Sequence, residues 1–529
     1  MVHAPAARGR LPHQGALAAV CGVLFVTFLD TTIVSVSLSS VQSDLHAGVS
    51  ALQWVVNGYT LPFACLMLLV GSLGDRFGHR RVMLVGLGVF VAGSVVAATA
   101  GSPGQLVAGR VVMGLGAAGS EPGTLAVVRD LYRERRDRVR AVGIWAAVSG
   151  LALALGPVVG GLLVGQWSWS AVFWFNVVAG VSLWLTAQRL VPETVVLRAD
   201  RIDLAGFFLS AAFLFCGVYA VIAGETAGYS AWWVIGLFVL SFVSLVALVV
   251  VEGRVRFPML DMAYLRIPIV GSALVVAFAV YFGIFSIFFF TALYLQQVAS
   301  WSSTRLALVF APMAAAIILA SLLTGRWLTN TRPVVPMVAG CLVGAAGILV
   351  SRGLLGANPH AGWLMLSLAL AGLGFGMAVV PLTAVVLGMT PRDHAGLAAA
   401  MTNTMRQVGA VVGVAALGAL VNAHLTTDLG HRLDALGVPS AFQGLITSAI
   451  EQGAVPSHGP AQATAKYGEV VQRVIDATFG AFRDGLHQAL LVSALLMVAA
   501  AVYTLLATRH GHAQPVPGDD TRWARSPSR

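Results

Sequence analysis

The sequence is poor in charged residues: Asp, Glu, Lys and Arg make up 10% of its 529 positions, whereas 58% are hydrophobic. The mean hydropathy is +0.84. A soluble domain needs polar side chains over its surface, so this composition excludes a soluble globular protein. Most helical surface must face lipid or other helices, and we predict an all-α polytopic membrane protein. Lysine is almost absent, since Lys466 is the one lysine among 32 basic residues, and this arginine bias hints at a bacterium with a GC-rich genome.

Cysteine is also scarce. All four cysteines fall inside hydrophobic runs and none forms a Cys-x-x-Cys pair, so neither a disulfide framework nor a metal site is expected: Cys21, Cys65, Cys216 and Cys341. An enzyme would need a nucleophile with a nearby base, but Ser120 has no histidine close to it in sequence, and His510 and His512 lie in the C-terminal tail. The sequence therefore predicts no metal, no cofactor and no enzymatic activity.

Hydrophobic runs long enough to cross a bilayer, which takes roughly 20 apolar residues, recur along the whole chain. There are fourteen: 16–39, 52–73, 82–100, 104–128, 139–164, 170–190, 203–223, 231–251, 268–295, 304–325, 334–355, 362–388, 396–421 and 485–507. With both termini in the cytoplasm, 24 basic residues lie on the cytoplasmic side and six outside. Topology therefore explains the formal net charge of +10, and no nucleic-acid partner is expected.

The segment between the second and third runs carries the most specific motif. It reads Gly71-Ser-Leu-Gly-Asp75-Arg76-Phe-Gly78-His79-Arg80-Arg81. The glycines allow a tight turn, Asp75 can accept hydrogen bonds from helix N-terminal amides, and the arginines hold the segment in the cytoplasm. This pattern resembles the signature loop of the major facilitator superfamily, with His79 where arginine is usual. An ordinary positive loop would explain the arginines but not the spacing of the glycines and Asp75.

Two further motifs resemble parts of that superfamily linked to proton coupling. The segment 29–38, which contains Asp30, is similar to the l-D-x-T-i-v-N-V-A-l-P motif of the fourteen-span drug:proton antiporters, with serine at three positions where the motif has Asn, Ala and Pro: Ser35, Ser37 and Ser39. In the fourth run, Gly109-Arg110 followed by Gly114-x-Gly116 resembles the motif whose intramembrane arginine is linked to proton transfer. The resemblance implies that Arg110 takes part in proton transfer, and Asp30, a carboxyl at membrane depth beside it, is the expected proton carrier.

The fifth run contains a segment similar to the antiporter motif of the same branch, Gly156-Pro157-Val-Val-Gly160-Gly161. A glycine-flanked proline bends a helix and lets a neighbour approach closely, which suits a joint between moving bundles. The second half of the chain resembles the family mainly in its spacing of runs and in 403–407, which contains Asn403 and Arg406.

The resemblance implies the major facilitator fold, two pseudo-symmetric six-helix bundles with two inserted helices. The bundles would comprise residues 1–190 and 268–507, the inserted pair 191–267, and a cytoplasmic tail 508–529. We expect 422–484 to form an external loop with short amphipathic helices. The implied function is proton-coupled export of amphipathic organic compounds by a monomer in the bacterial inner membrane. It would be driven by the proton gradient, with lipid, protons and a lipophilic small molecule as partners.

Four ionisable residues lie at membrane depth, where each should pair or line a wet cavity: Asp30, Arg110, Glu121 and Arg406. Counted from the external ends of their runs, Asp30 and Arg110 lie at similar depth, about 10–14 Å at ~1.5 Å per residue, so we predict that they meet. They form either a proton site or a structural bridge. Glu121 follows Arg110 by about three helical turns, which predicts one stripe shared with Gly114.

The substrate cavity is expected to include Glu121, Arg406 and Asn403. Glu121 could bind a cationic group, take a second proton, or pair with a loop arginine near the cytoplasmic end. Arg406 could offset the acids, bind an anionic group or be structural. The aromatic residues of the ninth run surround the helix and are expected to face lipid or pack, with some rings possible in the cavity.

Two other functions remain open at this point. One is a proton-coupled importer or uniporter of a small nutrient, against which the fifth-run motif argues. The other is a non-transporting membrane sensor or scaffold, which would ordinarily need a larger soluble domain than the roughly 60 residues between the last two runs.

Overall fold

The computed structural model describes residues 13–132, 134–193, 203–255, 267–328, 331–356, 359–389, 395–436 and 461–510. These residues form fourteen long helices and no strand, and each helix coincides with one of the predicted runs. In chain order, α1 to α14 span Gln14–Ile33, Val49–Phe77, His79–Ala98, Pro103–Leu131, Arg135–Gln166, Ser170–Leu190, Leu204–Ala227, Trp232–Glu252, Pro268–Gln297, Ser303–Trp327, Val334–Leu354, Ala361–Met389, Ala395–Ala435 and Ala461–His510.

Twelve of the described helices are long and apolar enough to cross a membrane, and α5 makes a thirteenth if its two bent parts count as one span. The remaining helix, α2, has 29 residues. That corresponds to about 44 Å at ~1.5 Å per residue, which exceeds a bilayer core of ~30 Å. The all-α polytopic architecture is confirmed, and fourteen crossings stay a prediction.

The first six helices pack mainly on one another, and so do the last six. The two groups meet where α5 packs on α10 and α2 packs on α13. Helix α7 lies against both groups, since its Val218 and Ile222 share an apolar cluster with Leu61 of α2 and Val411 of α13. Helix α8 packs chiefly on α7. The inserted pair is thus attached at a seam between the two groups through α7.

The signature segment is not the turn that the sequence suggested. Helix α2 continues through Gly71, Asp75 and Arg76 to Phe77, and α3 begins at His79, so one residue separates the two helices. Gly78 occupies that position with φ of +94°, a conformation that favours glycine. Nothing further is described of the Asp75 side chain, so its predicted contact with helix amides lies outside the described part of the structure.

The predicted external loop 422–484 is largely helical continuation. Helix α13 runs on to Ala435, and α14 begins at Ala461, so residues 422–435 and 461–484 extend two long helices instead of forming short separate ones. The two helices pack on each other, and Arg432 Nη2 of one extension donates to Asp484 Oδ2 of the other at 2.6 Å. Leu425, Leu429 and Leu433 are four residues apart and buried on one face of α13. The intervening residues 437–460 lie outside the described part.

Helix α9 changes geometry in its C-terminal half. An α-helix over Pro268–Phe285 passes into a π-helix over Ser286–Thr291 and returns to α-helix over Ala292–Gln297. The seven aromatic residues of the predicted cluster are all buried, so of the two expected environments, lipid and packing, they have packing: Tyr281, Phe282, Phe285, Phe288, Phe289, Phe290 and Tyr294. Among the described helices that are long and apolar enough to span a membrane, α9 is the most buried, with 89% of its most apolar segment inside the structure. Because other helices surround α9, aromatic side chains on every side of it can be buried.

Candidate functional site

Asp30 and Arg110 meet, as their depths predict. Arg110 Nη1 donates to Asp30 Oδ2 in an ion pair between α1 and α4, and both side chains are fully buried. The second carboxylate oxygen, Oδ1, accepts from Asn176 Nδ2 of α6 at 2.6 Å. A buried carboxylate is tolerated when a cation and hydrogen-bond donors surround it, and here three helices of the first bundle supply that arrangement.

Helix α2 completes the surroundings of Arg110. The guanidinium Nε donates to the Val55 carbonyl at 2.8 Å, and its carbon lies 4.4 Å from the centre of the Tyr59 ring. The Tyr59 hydroxyl in turn donates to the Thr27 carbonyl of α1 at 2.7 Å, which fixes the ring. Arg110 Nη2 has no hydrogen-bond partner among the described residues.

Sequence reasoning missed Asn176 and Tyr59 because it considered only ionisable residues at membrane depth. The available signal was the amide of Asn176 in an otherwise apolar stretch, Val172–Val178. Such a polar side chain inside a span usually finds a partner on another helix.

The glycine-proline motif of α5 contacts α1, the helix that carries Asp30. Helix α5 bends by 42° between residues 153 and 155, where Pro157 cannot donate to the carbonyl four residues before it. That carbonyl belongs to Leu153, and it accepts from the Thr32 hydroxyl of α1 at 2.9 Å. The threonine two residues after Asp30 therefore satisfies the group that the proline leaves free.

The three glycines of this motif face both bundles. A Cβ on Gly156 would collide with the Thr32 side chain, and one on Gly160 would collide with the Ile33 backbone, both on α1. A Cβ on Gly161 would meet the Ser303 carbonyl and the Ala307 side chain on α10 of the other bundle. The absence of side chains here is what lets α5 lie against α1 and α10 at once.

Glu121 crosses the boundary between the bundles. It is fully buried on α4, and its Oε1 accepts from Asn403 Nδ2 of α13 at 2.8 Å. Asn403 Oδ1 accepts from Arg406 Nη1 at 3.2 Å, and Arg406 Nη2 donates to Thr383 Oγ1 of α12 at 2.5 Å. The alternative that Glu121 pairs with a loop arginine is therefore wrong. The three predicted cavity residues are brought together.

The predicted stripe on α4 is only partly correct. Arg110 and Glu121 are both buried, but Gly114 lies against the Tyr59 backbone of α2, where a Cβ would collide. Gly114 therefore serves helix packing inside the first bundle and does not line a path between the two charged residues.

Uncharged hydrogen bonds join the C-terminal end of α9 to the segment that follows α1. Gln296 Nε2 of α9 donates to the Val36 carbonyl at 2.8 Å, and Gln297 Nε2 donates to Gln42 Oε1 at 2.6 Å. Val36 belongs to a short 3₁₀ segment, Val34–Val36, that follows α1. Sequence analysis did not single out these glutamines, since neutral amides near helix ends carry no distinctive pattern.

The arginines of the signature segment are tied to the end of α6. Arg80 Nη1 lies 3.3 Å and Arg81 Nε 3.4 Å from Glu193 Oε2, and Arg80 Nη2 donates to the Gln188 carbonyl. Arg76 is exposed. Arg80 and Arg81 thus fasten α3 to α6 within the first bundle.

No group of three or more His, Cys, Asp or Glu side chains that could hold a metal ion occurs in the described ranges. The four cysteines are present as free thiols. The buried ionisable residues that the sequence singled out at membrane depth thus lie in two clusters, one around Asp30 and one around Glu121.

Comparisons with known proteins agree with this architecture. The family model described as Major Facilitator Superfamily matches residues 20–414. The tetracenomycin C resistance and export protein of Streptomyces glaucescens is 31% identical over 513 residues, which covers 95% of this chain and 93% of that protein. The multidrug resistance protein Stp of Mycobacterium tuberculosis is 31% identical over 420 residues, which covers 79% of this chain and 78% of that protein.

Among solved structures, a bacterial homologue of the human lysosomal transporter Spinster, in an inward-facing and unoccupied conformation, superposes with a TM-score of 0.62 at 17% identity. The match covers 95% of this chain and 98% of that one, and at this identity it shows the fold. Together with the match over residues 20–414, these findings establish that the chain belongs to the major facilitator superfamily and is a membrane transporter, not an enzyme.

Proposed function

We propose that the protein is a proton-coupled antiporter that exports amphipathic organic compounds, such as a drug, an antibiotic or a secondary metabolite. The names of its relatives, a multidrug resistance protein and an antibiotic resistance and export protein, support export of this substrate class. The observation that carries proton coupling is the buried carboxylate of Asp30, held by Arg110 and Asn176.

The physical reason is that a charge at this depth is costly unless it is compensated. A proton on Asp30 would neutralise the carboxylate and weaken its attraction to Arg110. The guanidinium would then be free to seek another partner, and it already has an unpartnered nitrogen, Nη2. Protonation and helix rearrangement are thereby linked, which is the requirement for coupling two transport steps.

We further propose how the helices and the two ends of the chain are arranged for transport. Residues 1–190 and 268–507 act as the two moving bundles, and 191–267 as the inserted pair. We place the monomer in a bacterial cell membrane with fourteen crossings and both termini in the cytoplasm, as the distribution of arginines favours. The proton gradient supplies the energy without a cofactor. The signature residues Gly71, Asp75, Arg76, Gly78, Arg80 and Arg81 belong to the cytoplasmic gate.

The direct test is transport in proteoliposomes with an imposed pH gradient and a fluorescent lipophilic substrate. We expect Asp30→Asn to abolish accumulation driven by the gradient. Asp428→Asn, on the outer extension of α13, is the matched control and should transport normally. Undiminished gradient-driven accumulation by Asp30→Asn would show that Asp30 does not carry the proton.

A further inference from the structure

The polar cluster between the bundles contains one carboxylate, Glu121, and one guanidinium, Arg406, that are not in direct contact. Asn403 lies between them: its Nδ2 donates to Glu121 Oε1 at 2.8 Å, and its Oδ1 accepts from Arg406 Nη1 at 3.2 Å. The carboxylate and the guanidinium are thus separated by one amide group. In a direct salt bridge the two groups would satisfy each other, whereas this spacing leaves hydrogen-bonding atoms of both groups available.

Each charged group keeps a polar atom without a partner. Glu121 Oε2 and Arg406 Nε are buried, and neither has a hydrogen-bond partner among the described residues. The two side chains are 0% and 2% exposed, so bulk water does not satisfy these atoms. Buried polar atoms in folded proteins are nearly always paired, and an unpaired acceptor beside an unpaired donor indicates that a ligand supplies the missing partners.

We infer that this cluster is the binding site for the polar groups of a dipolar cargo, a molecule that carries a cationic donor and an anionic acceptor on one apolar scaffold. This inference rests on the proposed export function and narrows its substrate class. The donor of the cargo binds Glu121 Oε2, and its acceptor binds Arg406 Nε. Asn403 keeps the two positions apart.

Charge balance favours a dipolar cargo over a simple cation. The cluster contains one carboxylate and one guanidinium, so a zwitterion leaves the buried site neutral, whereas a lone cation would add an uncompensated positive charge beside Arg406. The ring of Tyr281 lies 5.5 Å from the Arg406 guanidinium carbon, and it offers an apolar face next to the acceptor position.

Because residues of both bundles form the cluster, binding of a cargo there can change how the bundles are arranged. Glu121 belongs to α4 of the first bundle, whereas Asn403 and Arg406 belong to α13 and Thr383 to α12 of the second. A cargo that binds Glu121 and Arg406 at once therefore bridges the bundles beside the hydrogen bond from Asn403. Binding would add a contact through the cargo to the contact within the protein, which biases the arrangement of the bundles.

The test uses one scaffold in four charge states: norfloxacin as the zwitterion, its methyl ester as the cation, its N-acetyl derivative as the anion, and the N-acetyl methyl ester as the neutral form. Transport of each is measured by fluorescence in everted membrane vesicles from a host that lacks its own efflux pumps. The variants are Glu121→Gln and Arg406→Gln, and ethidium is an unrelated lipophilic cation for reference.

We expect the unmodified protein to transport the zwitterion with the highest kcat/KM. Glu121→Gln should lower kcat/KM for the zwitterion and the ester, on the order of 30-fold, and spare the N-acetyl derivative. Arg406→Gln should lower it for the zwitterion and the N-acetyl derivative and spare the ester. This crossed pattern is not produced by a general loss of folding, which would affect all four compounds alike.

Glu121→Asp and Arg406→Lys are control variants that keep the charges. Binding of the four compounds to all purified variants is measured by quenching of tryptophan fluorescence. Equal losses for all four compounds in both neutral variants, or equal export of the zwitterion and the neutral form, would overturn the dipolar site. Export of ethidium without export of any norfloxacin derivative would also reject the dipolar site, but it would support the proposed export function. No transport of any compound, ethidium included, would reject both.

Discussion

A charge-removal cycle at Asp30 and Arg110 separates a proton carrier from a structural bridge. Asp30→Asn leaves the Arg110 guanidinium fully buried with the Val55 carbonyl and the Tyr59 ring as partners but without a counter-charge. Arg110→Gln leaves the Asp30 carboxylate with the Asn176 amide. Breaking a buried ion pair from one side typically costs about 3–5 kcal/mol. We therefore expect each single variant to be clearly less heat-stable than the parent.

The double variant Asp30→Asn/Arg110→Gln removes both charges and keeps two side chains of suitable size that can hydrogen-bond. Since neutral replacement of a whole buried pair is often close to neutral for stability, the double variant should be more stable than either single variant. Stability is read as the temperature at which the detergent-purified protein loses its monodisperse peak in size-exclusion chromatography.

Transport then decides between the two roles. A structural bridge predicts that the double variant recovers gradient-driven accumulation together with its stability. A proton carrier predicts recovered stability without accumulation, while exchange of labelled for unlabelled substrate, which needs no net proton movement, persists in proteoliposomes. Accumulation by the double variant at the parent rate under a pH gradient would refute the coupling role of Asp30.

Other predictions concern the joint and the gate. Thr32→Val should slow transport and lower heat stability by about 1–3 kcal/mol, since it leaves the Leu153 carbonyl unpaired, whereas Thr32→Ser should restore both; equal behaviour of Val and Ser would contradict this role. Gly156→Ala should impair transport because its Cβ collides with Thr32, whereas Gly150→Ala, on the same helix with open space around it, should not; similar loss in both would argue against close packing as the cause. Asp75→Ala should lower turnover more than substrate affinity, measured as kcat against binding, and weak binding with normal turnover would place Asp75 at the cargo site instead.

The helices could be predicted because each depends on local composition. A run of about 20 apolar residues has few ways to satisfy its backbone in a membrane other than a helix, so all fourteen helices coincide with runs in the sequence. The meeting of Asp30 and Arg110 was also predictable. It needs only two depths and the rule that charges in a membrane find partners.

The partners that complete each site depend on which helices are neighbours, and local sequence does not contain that information. Asn176 and Tyr59 act because α6 and α2 lie beside α1 and α4. The hydrogen bond from Asn403 to Glu121 joins residues 282 positions apart. The extended helices at 422–435 and 461–484 were missed for a different reason: their charged residues resemble those of a loop, but apolar residues four positions apart, such as Leu425 and Leu429, are buried on one helix face.

Helix α4 links the two buried clusters. It carries Arg110 of the proposed proton site and Glu121 of the cluster between the bundles, eleven residues or about 16 Å apart at ~1.5 Å per residue. A rigid movement of α4 that separates Arg110 from Asp30 therefore also displaces Glu121 relative to Asn403. Such a movement would couple the sites without a chain of side chains between them, because each site would bias the position of the same helix. Competition between proton and cargo would follow from this shared element even though the two ligands bind more than a dozen ångströms apart.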